Sequence, residues 1–274
     1  MRASFAAVVS TATAIAFAFL LLPIVAIFLR VPVGHLFAQL GDRVTRDALL
    51  VSLRTSAIAH ASVLLVGTPV AYLLARRRFP GRAAVLTLVE LPLVLPPAVA
   101  GIALLAAFGR FGLLGKHLHT LGIDVGLGTQ TAVVLAVAFV ESPFYVRGAV
   151  AAFEGVDDNL LAAARTLGAG PWRVFLRVAL PLAAGGLGAA SALALARGLG
   201  EFGATIIFAG SLQGVTQTLP LAIYAQFDQS FDVALAISAL FILVGAGILI
   251  ALKVFGWLRF TSISPFRPAA STSS

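Results

Sequence analysis

The chain has 274 residues, of which 60% are hydrophobic and only 11% charged, with a mean hydropathy of +1.03; these values exclude an ordinary water-soluble globular domain. The lack of cysteine rules out a disulfide framework, a thiolate metal site and a cysteine nucleophile. The net charge of +8 comes from short basic clusters between apolar runs and forms no continuous stripe, so no nucleic-acid partner is expected and the charge is topological.

A helix that crosses about 30 Å of hydrocarbon at 1.5 Å per residue needs roughly 20 apolar residues. Six stretches meet that length: 8–29, 49–75, 83–107, 129–149, 182–199 and 233–255. The first follows Met1-Arg2, but its apolar run is too long for a signal peptide and no small-x-small cleavage site follows it, so it is expected to remain as a helix. The second carries Arg54 and His60. The third holds Glu90 and the run Leu91-Pro92-Leu93-Val94-Leu95-Pro96-Pro97, in which three prolines remove backbone donors in mid-span. Such a break is tolerated only where neighbouring helices or water satisfy the freed carbonyls. Pro96 and Pro97 are therefore candidates for lining a path, with a structural kink as the alternative. The segment 108–128 is glycine-rich and reads as an outer loop with room for a short helix. His117 and His119 lie in it, and with no third ligand in view no metal site is expected.

The fourth stretch places Glu141 beside Ser142-Pro143, near mid-span. Ionisable groups at such depth are expected in interhelical pairs, with partners that spacing does not identify. The segment 151–181 is too polar to span. Asp157-Asp158 precedes Leu160, Ala163, Ala164 and Leu167, a helix cap followed by an apolar stripe. Gly168 is suited to a positive φ at the end of that helix, and Gly170-Pro171 starts another. A cytoplasmic helical hairpin is predicted, and a linker resting on the membrane is the alternative.

Orientation follows from the distribution of Lys and Arg. Arg2, Arg76, Arg77, Arg78, Arg82, Arg147, Arg165, Arg173, Arg177, Lys253, Arg259 and Arg267 fall on one side, against Arg30, Arg43, Arg46, Arg110 and Lys116 on the other. Both termini are expected in the cytoplasm.

The letters of the hairpin carry a resemblance. Ala163-Ala164, Gly168, Val178 and Leu180-Pro181 are spaced as in the EAA loop of permease subunits of ATP-binding-cassette importers of type I, with Ala162 where that family usually carries Glu. The Ala163 to Gly170 run, the Leu91 to Pro97 run and the segment Ala196-Arg197-Gly198-Leu199-Gly200-Glu201-Phe202-Gly203-Ala204-Thr205-Ile206 are similar to molybdate or tungstate permeases. Sulfate and thiosulfate permeases have a similar Gly-Glu-Phe-Gly segment. The resemblance covers residues 47–255. It implies an all-α integral membrane protein with six transmembrane helices and a cytoplasmic coupling helix, in which Leu160, Ala163, Ala164, Leu167, Gly168, Ala169 and Gly170 meet an ATPase. Residues 1–46 would be an extra N-terminal helix and outer loop, 47–256 the transmembrane domain and 257–274 a cytoplasmic tail.

A P-loop needs Gly-x-x-x-x-Gly-Lys followed by Ser or Thr, and the nearest run, from Gly109 to His117, has Arg110 where the first glycine should be and His117 in place of the hydroxyl. No Gly-x-Ser-x-Gly elbow, His-Glu-x-x-His or dinucleotide fingerprint occurs, so no catalytic residues and no cofactor are expected. The resemblance then implies separate ATPase subunits, a second copy of this chain and an extracytoplasmic oxyanion-binding protein, assembled in a bacterial inner membrane. A gradient-driven secondary transporter is the competing class, weakened because no internal repeat is visible. Arg197 and Glu201, four residues apart, can meet on one helical face. They are candidates for a pathway gate, with an ion pair that only fixes packing as the alternative.

Overall fold

The structure, a computed structural model, describes residues 2–32, 34, 36, 38 and 41–261. Among the described residues the regular elements are helices: α1 (Arg2–Arg30), α2 (Arg43–Arg76), α3 (Arg82–Val94), α4 (Pro97–Phe108), α5 (Gly115–Thr120), α6 (Gln130–Glu154), α7 (Asp158–Thr166), α8 (Pro171–Leu199), α9 (Gly203–Phe208), α10 (Leu219–Phe227) and α11 (Phe231–Thr261). Among them five (α1, α2, α6, α8 and α11) are long and apolar enough to cross a membrane, or six if α3 and α4 count as one span. The chain is an all-α membrane protein, as composition requires. Of the expected tail, residues 262–274 lie outside the described residues.

The third span is broken at its prolines, as their lost donors imply: α3 and α4 meet at a bend of 115°. Leu95 and Pro96 leave the helical region there, and Pro97 occupies the first turn of α4, where its missing donor costs nothing. The fifth span does not start at residue 182. It continues back to Pro171 through a π-helical turn at Phe175–Ala179, in which the Leu180 N–H reaches Phe175 O. Widening the helix one turn ahead of Pro181 relieves the loss of that residue's donor. The stretch between spans five and six holds two short helices that sequence analysis did not assign, α9 and α10.

The chain divides into two compact units. One comprises residues 1–51 and 211–244, with a small core of Ala48, Leu219, Ala222 and Ile237. Its polar loop before α10 is closed by a bond from Leu212 N–H to Thr216 Oγ1 at 2.9 Å and tied to Asp47 by Gln213 Nε2 at 3.2 Å. The other comprises residues 52–210 and 245–274 and holds the larger cores. One lies around Leu74, Tyr145, Phe153, Leu161 and Phe175, the other around Val133, Val137, Leu104 and Phe208.

In the larger unit α6 and α8 approach at small residues, because dispersion and close backbone packing replace the hydrophobic effect in lipid. A β-carbon on Gly148 would lie 2.6 Å from that of Ala190, and one on Gly186 would lie 2.5 Å from that of Ala152. Gly148→Val is therefore expected to force the seam apart at a cost of about 1–3 kcal/mol, read as a lower unfolding temperature in detergent. Gly245→Ala, where a β-carbon meets nothing within 4 Å, serves as the control and should leave that temperature unchanged or raise it.

Candidate functional site

Polar chemistry in the larger unit collects at three places. The first is the α7 hairpin. Asp157 caps α7, accepting from Asn159 N–H at 2.9 Å, and the helix ends in a Schellman closure. Gly168 N–H donates to Arg165 O at 2.9 Å and Ala169 N–H to Ala164 O at 3.0 Å, with Gly168 at φ +82°. Gly170 then caps α8, with Pro171 in its first turn. The residue that packs α7 onto the core is Leu161, buried beside Leu74, Phe153 and Phe175, and sequence spacing missed it in favour of Leu160. Ala164 and Ala169 lie partly against the same core. Leu160, Ala163 and Gly170 face outward, and Leu167 is 88% exposed at the C-terminal end of α7. Trp172 in the first turn of α8 is also exposed, so the hairpin presents apolar side chains at the end of the unit that carries the basic residues Arg76, Arg77, Arg78, Arg82, Arg165 and Arg173.

The second place is the break after α8. Arg197 Nη1 lies 2.9 Å from Glu201 Oε2, the arginine side chain 34% exposed and the carboxylate 1%. Glu201 is not on the helix, as the four-residue spacing suggested, because α8 ends at Leu199. Its other oxygen accepts from Ala204 N–H at 2.8 Å and so satisfies a free donor at the start of α9. One carboxylate thus neutralises an arginine and closes a chain break. Pro97 stands at the same place: a β-carbon on Gly203 would lie 2.5 Å from that of Pro97, and one on Gly101 would lie 2.9 Å from Ala204 O. The four residues singled out as path or gate, Pro96, Pro97, Arg197 and Glu201, belong to one neighbourhood where α4 and α9 pack. Pro96 and Pro97 are exposed.

The third is a buried polar chain that spacing could not assemble. His60 Nδ1 on α2 donates to Oε1 of Glu141 on α6, and His60 Nε2 meets Ser191 Oγ on α8 at 2.9 Å. Glu141 is fully buried, its second oxygen lacks a hydrogen-bond partner, and Gly198 leaves the room it occupies. Of the other ionisable groups expected to pair, Glu90 lies 3.6 Å from Arg147, while Arg54 is exposed on α2. His119 on α5 lies 3.7 Å from Asp124, and among the described residues no group of three His, Cys, Asp or Glu is placed to hold a metal.

A helical bundle with a capped, apolar-tipped hairpin and broken spans is what a transport subunit worked by a partner would show. Residues 67–259 match the family model described as "Binding-protein-dependent transport system inner membrane component". The chain belongs to that family. It is similar to the molybdenum transport system permease protein ModB of Mycobacterium tuberculosis, 47% identical over 231 residues, which cover 83% of this chain and 86% of that protein. It is also similar to ModB of Escherichia coli, 46% identical over 179 residues, 65% of this chain and 78% of that protein. In fold it is similar to a chain in the crystal structure of a bacterial ABC transporter involved in the import of the acidic polysaccharide alginate, with a TM-score of 0.74 over 96% of this chain and 97% of that one, at 18% identity. The permease is a multi-pass inner-membrane transport component, the membrane-spanning subunit of an ATP-binding-cassette importer.

The buried chain ties three spans of the permease together, and removing one partner leaves a buried polar group without its hydrogen bond. His60→Ala is expected to lower folded yield and stability by about 3–5 kcal/mol, and adding Glu141→Gln is expected to restore part of that. Thermal unfolding of the two single variants and the double variant checks it. Strictly additive losses would show that the two side chains are not coupled.

Proposed function

We propose that this permease passes an oxyanion of the molybdate or tungstate type through a homodimer. Two ATPase subunits would sit on its cytoplasmic face and a soluble oxyanion-binding protein on the other. The exposed Leu167 at the end of a capped, rigid α7 is the observation that carries the coupling part: an apolar residue held away from its own core suits the centre of a protein interface. The similarity to two molybdenum permeases supports the anion. The lack of a phosphate-binding loop in the sequence supports an ATPase on another chain. Both termini are cytoplasmic in this proposal, on the strength of the Arg76 to Arg82 cluster. Residues 1–46 are an appended span and outer loop, 47–256 the transport domain and 257–274 a cytoplasmic tail. The path or gate falls to the neighbourhood of Pro96, Pro97, Arg197 and Glu201, where two chain breaks meet.

The neutralised Arg197 suits a gate better than a binding site. An anion held by an unpaired buried arginine would leave slowly, and selectivity at first contact then belongs to the binding protein.

Uptake by a strain lacking the gene tests the anion and the coupling together. The intact gene is expected to restore molybdate uptake. Restored sulfate uptake with molybdate untouched would make this a sulfate permease. Leu167→Asp puts a charge where an apolar pocket is expected and touches no span, so permease should reach the membrane in normal amount while ATPase recovery and uptake are lost. A variant with full ATPase content and full uptake would remove α7 from the coupling role. For orientation, a reporter fused after Arg82 is expected to read cytoplasmic, and an outside signal would reverse the topology.

A further inference from the structure

We propose that Arg76 is the positioning residue of the coupling hairpin, the group through which a displacement of α7 reaches span α2. The inference rests on α7 being the element that meets the ATPase. Arg76 is the last residue of α2, and its side chain is only 11% exposed. From there the guanidinium reaches two other helix ends at once. Nη2 donates to Phe153 O in the last turn of α6 and to Val156 O at 2.7 Å in the link beyond it, and Nη1 donates to Asp158 Oδ1 at 2.7 Å in the first turn of α7.

Each contact has its own reason. Carbonyls in the last turn of a helix have no partner inside the helix, and the partial negative charge there favours a cation. An acid in a first turn complements the opposite end of the dipole, which is where Asp158 sits. One planar fork therefore joins the ends of α2 and α6 to the start of α7. Below it, Tyr72, one turn earlier on α2, packs edge-on against Phe153 with ring centroids 5.2 Å apart and against Phe175 of α8 at 4.8 Å. Leu161 fills the remaining side of that cluster. Arg82 repeats the device on the next loop, with Nε to Leu74 O at 2.6 Å and Nη2 to Glu154 Oε1 at 2.5 Å.

Without Arg76, α7 would be held to the core by Leu161 and by its continuity with α8, and α2 would have no polar bond to the hairpin. A lysine keeps the charge and most of the stem but offers a point charge rather than a fork aimed in three directions. The Asp158 bond is the weakest of the three, because that carboxylate is 89% exposed and screened by water.

The experiment uses the full permease purified with its ATPase subunits and reconstituted in liposomes with the binding protein. Molybdate and sulfate are each offered, and anion delivered per ATP hydrolysed is measured with whichever anion the unsubstituted complex takes up. Arg76→Lys is expected to keep permease amount and ATPase recovery while anion per ATP falls roughly tenfold, the loss of about one charge-assisted hydrogen bond. Asp158→Ala, at an exposed position that cannot threaten folding, is expected to lower the ratio by roughly two- to threefold. An unchanged ratio in both variants would overturn the proposal. So would Arg76→Lys reducing permease and ATPase recovery in parallel at a normal ratio, since that is what a purely structural arginine does. Leu167→Asp run beside them separates the two ideas. If that variant keeps its ATPase and full uptake, the coupling role of α7 fails whatever Arg76 does; if it loses both while Arg76→Lys is normal, only the role of Arg76 fails.

Discussion

A peptide group in hydrocarbon has no water to turn to, and an unsatisfied one costs several kcal/mol. That constraint makes the spans helical and decides where they can stop. Each interruption inside the larger unit is closed by a specific partner. The α8 to α9 break uses a carboxylate oxygen of Glu201 on Ala204 N–H, and the Gly128 N–H at the start of the fourth span donates to Ala209 O at 2.8 Å. At Pro181 the helix widens by one π-turn instead of breaking. The α3 to α4 bend places a proline where the missing donor would have had no acceptor. Candidate path residues lie at these interruptions because only there does the backbone leave the helix.

The same scarcity of water governs the charges. An arginine in a span is costly unless it is paired or wet. Arg197 is paired with one oxygen of a carboxylate whose other oxygen closes a chain break, so the ion pair and the α8 to α9 connection share one side chain. His60, Glu141 and Ser191 form a different kind of device. They satisfy one another across three helices, and Gly198 gives the carboxylate its place. A buried pair of this sort contributes little net stability but fixes register, because the alternative of an unpartnered carboxylate is far worse.

Features that depend on neighbours in the chain were legible in the sequence. The cap at Asp157, the positive φ at Gly168 and the proline start at Pro171 are local chemistry, and all three occur where the residue types demand. Features that depend on distant partners were not. Asp157 to Leu167 contains adjacent leucines, and which of Leu160 and Leu161 turns inward depends on where Tyr72, Phe153 and Phe175 stand, which no periodicity reveals. The partners of Glu141 lie 81 residues away in one direction and, through His60, another 131 to Ser191. Helices α9 and α10 were missed because segments of six and nine residues are too short to show a stripe of their own. The place of Glu201 just past the end of α8 was hidden because a four-residue spacing reads the same whether or not the helix continues.

The stiffness of the hairpin constrains how the permease can move. Helix α7 joins α8 through four residues, Leu167 to Gly170, closed by the Schellman bonds and followed by a proline-started helix. In the proposed coupling role a push on the exposed tip of α7 would pass along α8, through the π-turn, toward the Arg197 end of the same helix. A helix of 29 residues spans about 44 Å at 1.5 Å per residue, long enough to carry a displacement from one membrane face to the other. The π-turn is the compliant point on that route, since its hydrogen bonds are weaker than those of an α-helix and it lies in the first third of the span. A second connection, from α7 to α2 through the guanidinium of Arg76, bypasses that compliant point altogether.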